Sequence, residues 1–358
     1  MRCRRCGKEL SSPPTGMSCP RCGGTLSFLL IGYRGESSNA PGVWRYGRSL
    51  PHLPPTTLGE ADTALLAVGS EEIVPPGGRL YAKVESTNPT GSFKDRGSAV
   101  VCAAARALDV GELVIASTGN AGSSMAAYAA REGLELTVLV PAATDAGKLH
   151  QLRRHDPRVE RVEGGFEEVE RAGRERARRG AFPGGSENPL RTEGTKTIAF
   201  EIARQMPVAC DRVIAPIGTG NLLTSLYKGF RELAEAGEIE RRPALDGVQL
   251  RSVPPLMDCE EPEVVPADGR SPASGIDIAE PALGDQAVEA IRDTGGILHR
   301  VGDAAVLEAQ RDLASSEGLG AEPTGAVAVA AYREATERGA IAPEEAVVAP
   351  ITGHCLKE

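Results

Sequence analysis

The sequence lacks the features that mark a membrane, secreted or nucleic-acid-binding protein. No apolar run approaches the roughly 20 residues of a membrane-spanning helix, and no signal-peptide pattern opens the chain. No large basic tract occurs either, and the net charge of −9 disfavours nucleic acid as a partner. These absences predict a cytoplasmic protein that binds neither membranes nor nucleic acid.

Aromatic residues are also scarce, at 4% of the chain, whereas glycine and alanine are abundant. Small residues suit close packing of helices against sheets. The chain has 358 residues, which is long enough for two packed domains and a small appendage. The composition therefore indicates a globular fold and gives no information about chemistry.

The eight cysteines fall into two groups, one paired and one scattered. The paired group forms two Cys-x-x-Cys motifs with twelve residues between them: Cys3, Cys6, Cys19 and Cys22. Each motif places two thiolates on one side of a tight turn, and four thiolates complete a closed tetrahedral site, which is typical of structural zinc. Residues 1–28 are therefore predicted to form a zinc ribbon. The alternative is a reduced, metal-free hairpin.

Short β-rich runs alternate with helical patterns beyond residue 79. The predicted strands are 80–86, 112–117, 135–141, 158–164, 211–218, 247–253 and 346–353. The predicted helices are 96–108, 120–131, 145–154, 166–179, 222–236, 284–294, 303–317 and 324–338. This alternation predicts an α/β fold with parallel sheets and right-handed crossovers, and the number of runs favours two sheets over one.

The most informative stretch is Ser86–Gly97, STNPTGSFKDRG, a polar loop that leads into a helix of small apolar residues. Lys94 stands where the loop becomes helix. Burial lowers the pKa of an amine, and an amine with a lowered pKa can attack a carbonyl carbon to form a Schiff base. The alternative is a surface lysine that pairs with Asp95.

Two further polar segments follow predicted strands, where ligands bind in open parallel sheets. Ser117–Ser124, STGNAGSS, opens a helix whose partly positive N-terminus can hold a carboxylate. Simple capping by Ser117 or Asn120 is the alternative. The second segment, Gly218–Leu222, has two glycines before a helix and is typical of a phosphate cradle made of backbone N–H groups.

The ten residues NPTGSFKDRG resemble the lysine segment of threonine synthases, which are fold type II pyridoxal-phosphate (PLP) enzymes. SENPLRTEGTKT (186–197) and the final ITGHCLKE also resemble segments of that family, and many of its members carry an N-terminal ribbon. The resemblance implies a tryptophan synthase beta-like fold with two parallel-sheet domains. The implied division is 1–28 ribbon, 29–98 arm and first part of a large PLP domain, 99–185 small domain, and 186–358 remainder of the large domain.

The resemblance also implies residue roles. Lys94 would form the Schiff base with PLP, Asn120 would contact the ring hydroxyl, and Thr352 would meet the pyridine nitrogen. The implied ligands of the PLP phosphate are Gly218, Thr219, Gly220, Asn221 and Leu222. The implied ligands of the substrate are Ser117, Thr118 and Ala121 for its carboxylate, and Ser186 and Arg191 for its phosphate.

The implied reaction converts O-phospho-L-homoserine and water into L-threonine and phosphate, with a homodimer as the implied assembly. The chain departs from the family pattern at Ala121, Gly185, Glu187 and Cys355. The first three departures keep open a different PLP reaction: a β-replacement on O-phosphoserine, as in cysteate synthesis, or a serine/threonine dehydratase. A non-enzymatic zinc-ribbon protein with an inactive PLP domain is the third possibility, and the intact Lys94 argues against it.

Overall fold

A computed structural model describes residues 1–11, 17–29, 31–37, 39–265 and 270–357. The chain divides into two compact units. Unit 1 comprises Met1–Ala61 and Lys94–Thr195, and unit 2 comprises Asp62–Phe93 and Lys196–Glu358. In the described part of the chain, no helix is long and apolar enough to span a bilayer.

The regular elements of the described residues are as follows in chain order. The strands are β1 (Arg2–Cys3), β2 (Leu26–Ser27), β3 (Leu65–Ala67), β4 (Arg79–Lys83), β5 (Leu113–Ala116), β6 (Leu136–Pro141), β7 (Arg158–Val162), β8 (Phe182–Pro183), β9 (Arg212–Pro216), β10 (Ala244–Leu250), β11 (Leu298–Val301) and β12 (Ala346–Pro350). The α-helices are α1 (Lys94–Ala107), α2 (Asn120–Glu132), α3 (His150–Arg153), α4 (Phe166–Arg178), α5 (Pro189–Thr195), α6 (Thr197–Gln205), α7 (Asn221–Glu235), α8 (Gly284–Thr294), α9 (Asp303–Glu317) and α10 (Pro323–Glu337).

Unit 1 is built on a parallel sheet with strand order β7-β6-β5-β8 in the described residues. Side chains alternate between its two faces, as the two-residue period of a strand requires. Leu113 and Ile115 pack with α1 and α2 on one face, while Val114 packs with Val169 of α4 on the other. Both faces are covered, which explains why these strands are continuous apolar runs.

Unit 2 is built on a larger sheet with strand order β11-β10-β9-β12-β4-β3 in the described residues. Its strands are parallel except β3, which pairs antiparallel with β4 at one edge. Helix α10 begins with Pro323, which is favoured in a first helical turn because its missing N–H has no partner there. Val327 and Val329 of this helix lie in the same apolar core as Val248 and Val347 of the sheet.

The predicted α/β class with two largely parallel sheets is confirmed. The predicted helix 145–154 is shorter, a 3-10 turn at Gly147–Leu149 followed by α3. The sequence did not predict α5, α6, β3 or β11. The N-terminal ribbon contains the antiparallel pair β1 and β2, and its residues 12–16 lie outside the described part of the chain.

The bounds of the two units differ from the predicted segments. The arm up to Ala61 clusters with unit 1, and unit 1 extends from Lys94 to Thr195 rather than from 99 to 185. The reason is tight packing of α5 against α1, since a Cβ at Gly194 would lie 2.0 Å from the backbone oxygen of Arg96. The division into functional domains stays a prediction.

Candidate active site

The four ribbon cysteines lie together at the end of unit 1. Their sulfur atoms are all within 4.8 Å of one another, with 3.6 Å between Cys3 and Cys22 and 3.7 Å between Cys6 and Cys19. A tetrahedral ion with Zn–S bonds of ~2.3 Å separates its sulfurs by about 3.8 Å. The thiols are therefore spaced as a four-thiolate metal site requires.

Lys94 is the first residue of α1 and is half-buried. The residues that follow it, Asp95–Ala105, are all buried. Gly97 contacts α5, because a Cβ at this position would lie 3.2 Å from the Cβ of Arg191. The helix behind the lysine is thus fixed in the core of unit 1, as the sequence predicted.

The segment after β5 forms the start of α2, with Asn120 as its first residue. The hydroxyl oxygen of Ser117 accepts hydrogen bonds from the N–H groups of Gly119 at 3.3 Å and Gly122 at 3.0 Å. Ser117 therefore caps the helix, which was the alternative interpretation of this residue. A cap and a substrate contact are compatible, since the hydroxyl hydrogen is still available as a donor.

The segment after β9 forms a glycine-walled turn in unit 2. Gly220 has a φ of +89° and precedes α7, whose first N–H groups point out of the helix. A Cβ at Gly218 would lie 2.3 Å from the oxygen of Gly275, and one at Gly220 would lie 2.8 Å from the oxygen of Leu283. No side chain fits at these positions, so the turn presents backbone N–H groups, as a phosphate cradle requires.

Thr352 follows β12 in unit 2 and is 2% exposed. Its backbone oxygen accepts a hydrogen bond from the N–H of Phe93 at 3.1 Å. Its hydroxyl oxygen is buried without a hydrogen-bond partner in the described residues, and so is that of Ser92. A buried hydroxyl without a partner is costly, and a ligand atom such as a pyridine nitrogen would satisfy it.

Arg191, on α5, is 2% exposed. Its Nε donates to the backbone oxygen of Gly184 at 2.5 Å, while its Nη2 has no partner in the described residues. Burial lowers the pKa of this guanidinium to about 10. A buried cation with a free donor is suited to an anion, although Arg191 is nearly closed to solvent. Ser186, the other predicted phosphate ligand, is half-buried.

The surroundings of Gly185 and Glu187 differ from a simple anion site. A Cβ at Gly185 would meet nothing within 4 Å, so this position opens onto free space. Burial raises the pKa of Glu170 on α4, and the neighbouring charge of Glu187 raises it further. Two carboxylates therefore lie near the segment predicted to bind a phosphate.

Glu60 is a positioning residue that the sequence did not reveal. It is 1% exposed and accepts hydrogen bonds from the N–H of Val43 at 3.2 Å and of Leu58 at 3.0 Å. Its Oε2 also accepts the hydroxyl of Tyr128 on α2 at 2.7 Å. Glu60 thus ties the arm to the helix that begins at Asn120. The only sequence signal is its place in an LGE segment.

The comparisons with known proteins agree with this geometry. Residues 56–353 match the family model described as pyridoxal-phosphate dependent enzyme. The chain therefore belongs to the family of pyridoxal-phosphate dependent enzymes. It is a PLP-dependent lyase related to threonine synthases.

Two of the relatives are archaeal threonine synthases. The one from Methanosarcina acetivorans is 35% identical, and the alignment covers 100% of this chain and 92% of that protein. The one from Methanocaldococcus jannaschii is 34% identical with the same coverage. Both alignments include the N-terminal ribbon.

Solved structures share the fold. A threonine deaminase, given as from T.th., is 26% identical with a TM-score of 0.66, covering 82% of this chain and 92% of that one. A maize serine racemase is 20% identical with a TM-score of 0.68, covering 82% and 88%. The second likeness shows the fold alone.

Proposed function

We propose that this chain is a threonine synthase, which converts O-phospho-L-homoserine and water into L-threonine and phosphate. The observation that carries the proposal is the match to threonine synthases along the whole chain, at 35% identity. The half-buried Lys94 at the start of α1 and the glycine-walled turn at Gly218 and Gly220 support it.

The residues present fit PLP, which stabilises negative charge at the carbon next to the substrate amine when it is bound. Lys94 holds the cofactor through its Nζ and afterwards takes and returns protons at that atom. The N–H groups at the start of α7 bind the cofactor phosphate. Thr352 donates its buried hydroxyl to the ring nitrogen, and because a hydroxyl carries no charge it does not force that nitrogen to stay protonated. Asn120 contacts the ring hydroxyl.

The substrate contacts follow the same logic. The N–H of Ala121, at the partly positive end of α2, binds the substrate carboxylate together with Ser117 and Thr118. Ser186 and Arg191 bind the substrate phosphate, and the unpaired Nη2 of Arg191 supports this assignment. The four ribbon thiols bind structural zinc. A homodimer and a cytoplasmic location stay predictions from the sequence.

The test is product analysis with two substrates that differ by one methylene group. Purified holoenzyme is given O-phosphohomoserine or O-phosphoserine, and phosphate and amino-acid products are measured, with Lys94→Ala as the control. We expect threonine and phosphate in equal amounts from the first substrate only, and no product from the control. Turnover of O-phosphoserine alone would reject the proposal.

A second candidate is a different PLP reaction on the same scaffold, either a β-replacement on O-phosphoserine or a serine/threonine dehydration. The open space at Gly185 and the carboxylates of Glu170 and Glu187 favour it, because they change the site predicted for the phosphate. Formation of a keto acid from serine or threonine in the same assay would identify the dehydratase.

A further inference from the structure

Helices α1 and α2 of unit 1 touch at three successive points. The hydroxyl of Ser124 donates to the hydroxyl oxygen of Ser98 at 2.7 Å, and both side chains are fully buried. The sulfur of Cys102 approaches the sulfur of Met125 at 3.6 Å. Near the ends of the helices, an ion pair joins Arg106 to Glu132. The contacts advance in the same direction along both helices, so the two helices run parallel.

The first and last of these contacts have the same offset. Ser98 and Ser124 are 26 residues apart in the chain, and so are Arg106 and Glu132. The same offset relates the first residues of the two helices, Lys94 and Asn120. The helices are therefore in register, and their N-termini are level.

Each serine lies four residues after the start of its helix. Residues four apart lie on one face of an α-helix, separated by about 6 Å along the axis. Ser98 therefore lies above Lys94 on α1, and Ser124 lies above Asn120 on α2. The hydrogen bond between the serines is the first fixed point behind the two predicted PLP ligands.

We propose that Ser98 and Ser124 form a positioning pair, which sets the height of Lys94 relative to Asn120. This inference rests on the proposed role of those two residues in binding PLP. Sliding one helix against the other would break the bond between the serines and bury two unpaired hydroxyls, which is unfavourable. The neighbouring glycines leave little freedom, since a Cβ at Gly122 would lie 2.9 Å from the oxygen of Ser117.

The ion pair of Arg106 and Glu132 provides a matched control. It has the same offset and joins the same two helices, but it lies at their far ends, and Arg106 is 40% exposed. A contact that only holds the helices together and a contact that positions the ligands can therefore be distinguished.

The experiment compares Ser98→Ala, Ser124→Ala and the double variant with Arg106→Ala/Glu132→Ala. Two quantities are measured on each PLP-loaded protein: the dissociation constant of PLP, and the pH midpoint of the visible absorbance of the lysine-bound cofactor. That midpoint depends on how the ring hydroxyl is held, and therefore on Asn120. Thermal unfolding of each apoprotein reports stability separately.

We expect each serine variant to shift the pH midpoint and to weaken PLP binding about two- to tenfold, the range of one hydrogen bond. The control pair should leave both quantities unchanged. An unchanged midpoint in the serine variants, with lower thermal stability, would overturn the proposal and make the bond merely structural. If a single alanine prevents folding, the double variant applies, because it leaves no unpaired hydroxyl. A wild-type protein without visible absorbance would instead reject the proposed function.

Discussion

At the scale of single residues, the candidate site contains polar atoms that the described protein leaves unsatisfied. Thr352 Oγ1 and Arg191 Nη2 are buried and lack a partner in the described residues. Folded proteins rarely bury such groups unpaired, because each costs about 1–3 kcal/mol. Both residues were predicted from sequence as ligand contacts, and a bound ligand would explain why they are tolerated.

Thr352→Val tests this explanation, because valine has nearly the same shape without the hydroxyl. We expect a slightly more stable apoprotein, since an unpaired buried group is removed. We also expect PLP to bind about fivefold more weakly, which corresponds to ~1 kcal/mol for one hydrogen bond. Thermal unfolding and a PLP titration measure the two effects.

Thr56→Val is the matched control for that change, because the Thr56 hydroxyl is also buried without a partner in the described residues. It lies outside the predicted site, so its PLP affinity should equal that of the unchanged protein. Equal PLP affinity in the Thr352 variant would contradict the assignment.

Glu170 gives a prediction about pH. Burial raises the pKa of its carboxyl, and Arg174 offsets only part of that effect. The folded state therefore binds this proton more tightly than the unfolded chain, so stability from this group is present at low pH and is lost as the pH rises through the folded pKa. We expect Glu170→Gln to raise the melting temperature at pH 8 and to have no effect near about pH 4, where carboxyls are protonated.

The gain from Glu170→Gln should stay below about 1 kcal/mol, because the side chain is partly exposed and water screens its charge. Melting curves at several pH values check it, with Glu175→Gln on the exposed face of α4 as the comparison. A difference that does not change with pH would mean that the effect comes from packing alone.

At the scale of elements, the sequence predicted α8 and α9 with the bounds that the structure has. Their ends carry clear signals, since Gly295 and Gly318 adopt the left-handed conformation that terminates helices. Helix α5 was missed because Pro189 and Gly194 are poor helix formers. Gly194 is required by its close contact with α1, which a single sequence does not reveal.

The same distinction holds for the site. The glycine turn before α7 and Thr352 were predicted from motifs, because the chemistry of a phosphate or a ring nitrogen restricts the residues that serve it. Strand β11 was missed because its buried His299 and Arg300 do not look like core residues. The register of α1 and α2 depends on which residues meet across two helices, and no local pattern encodes that.

A buried ion pair joins two elements of unit 2. Lys83 on β4 donates to Glu201 Oε2 on α6 at 2.6 Å and to the backbone oxygen of Thr63 at 2.6 Å, and both charged side chains are 0% exposed. Lys83→Met leaves the Glu201 carboxylate buried without its cation. We expect a loss of about 3–5 kcal/mol in the free energy of unfolding.

Urea unfolding measures this loss. The double variant Lys83→Met/Glu201→Met should recover most of the stability, because no unpaired charge remains. A loss below about 1 kcal/mol in the single variant would show that the pair is not the uncompensated charge that its burial indicates.

At the scale of the whole molecule, the eight cysteines report on the ribbon. Burial raises the pKa of Cys102 to about 12 and that of Cys210 to about 12, so both thiols stay protonated and inert at neutral pH. The half-buried Cys259 and Cys355 are expected to react with a thiol reagent in the metal-loaded protein.

Metal removal is expected to expose the four ribbon thiols, because a thiolate bound to zinc does not react freely. A chelator should therefore raise the number of reactive thiols from two to six, and denaturation should raise it to the total of eight. Released zinc is measured in parallel, with Cys6→Ser as the control that binds no metal. Six reactive thiols before chelation would show that the ribbon is metal-free as purified.

The central claim is that Lys94 carries the cofactor. The chain has seven lysines, and Lys83 and Lys196 are buried as well. The direct measurement is borohydride reduction of the PLP-loaded protein, which converts the carbon–nitrogen double bond between lysine and cofactor into a stable single bond, followed by mass analysis of the peptides. We expect the added mass on the peptide that contains Lys94 and none in Lys94→Ala. The same mass on Lys83, Lys196 or Lys228 in the unchanged protein would contradict the account.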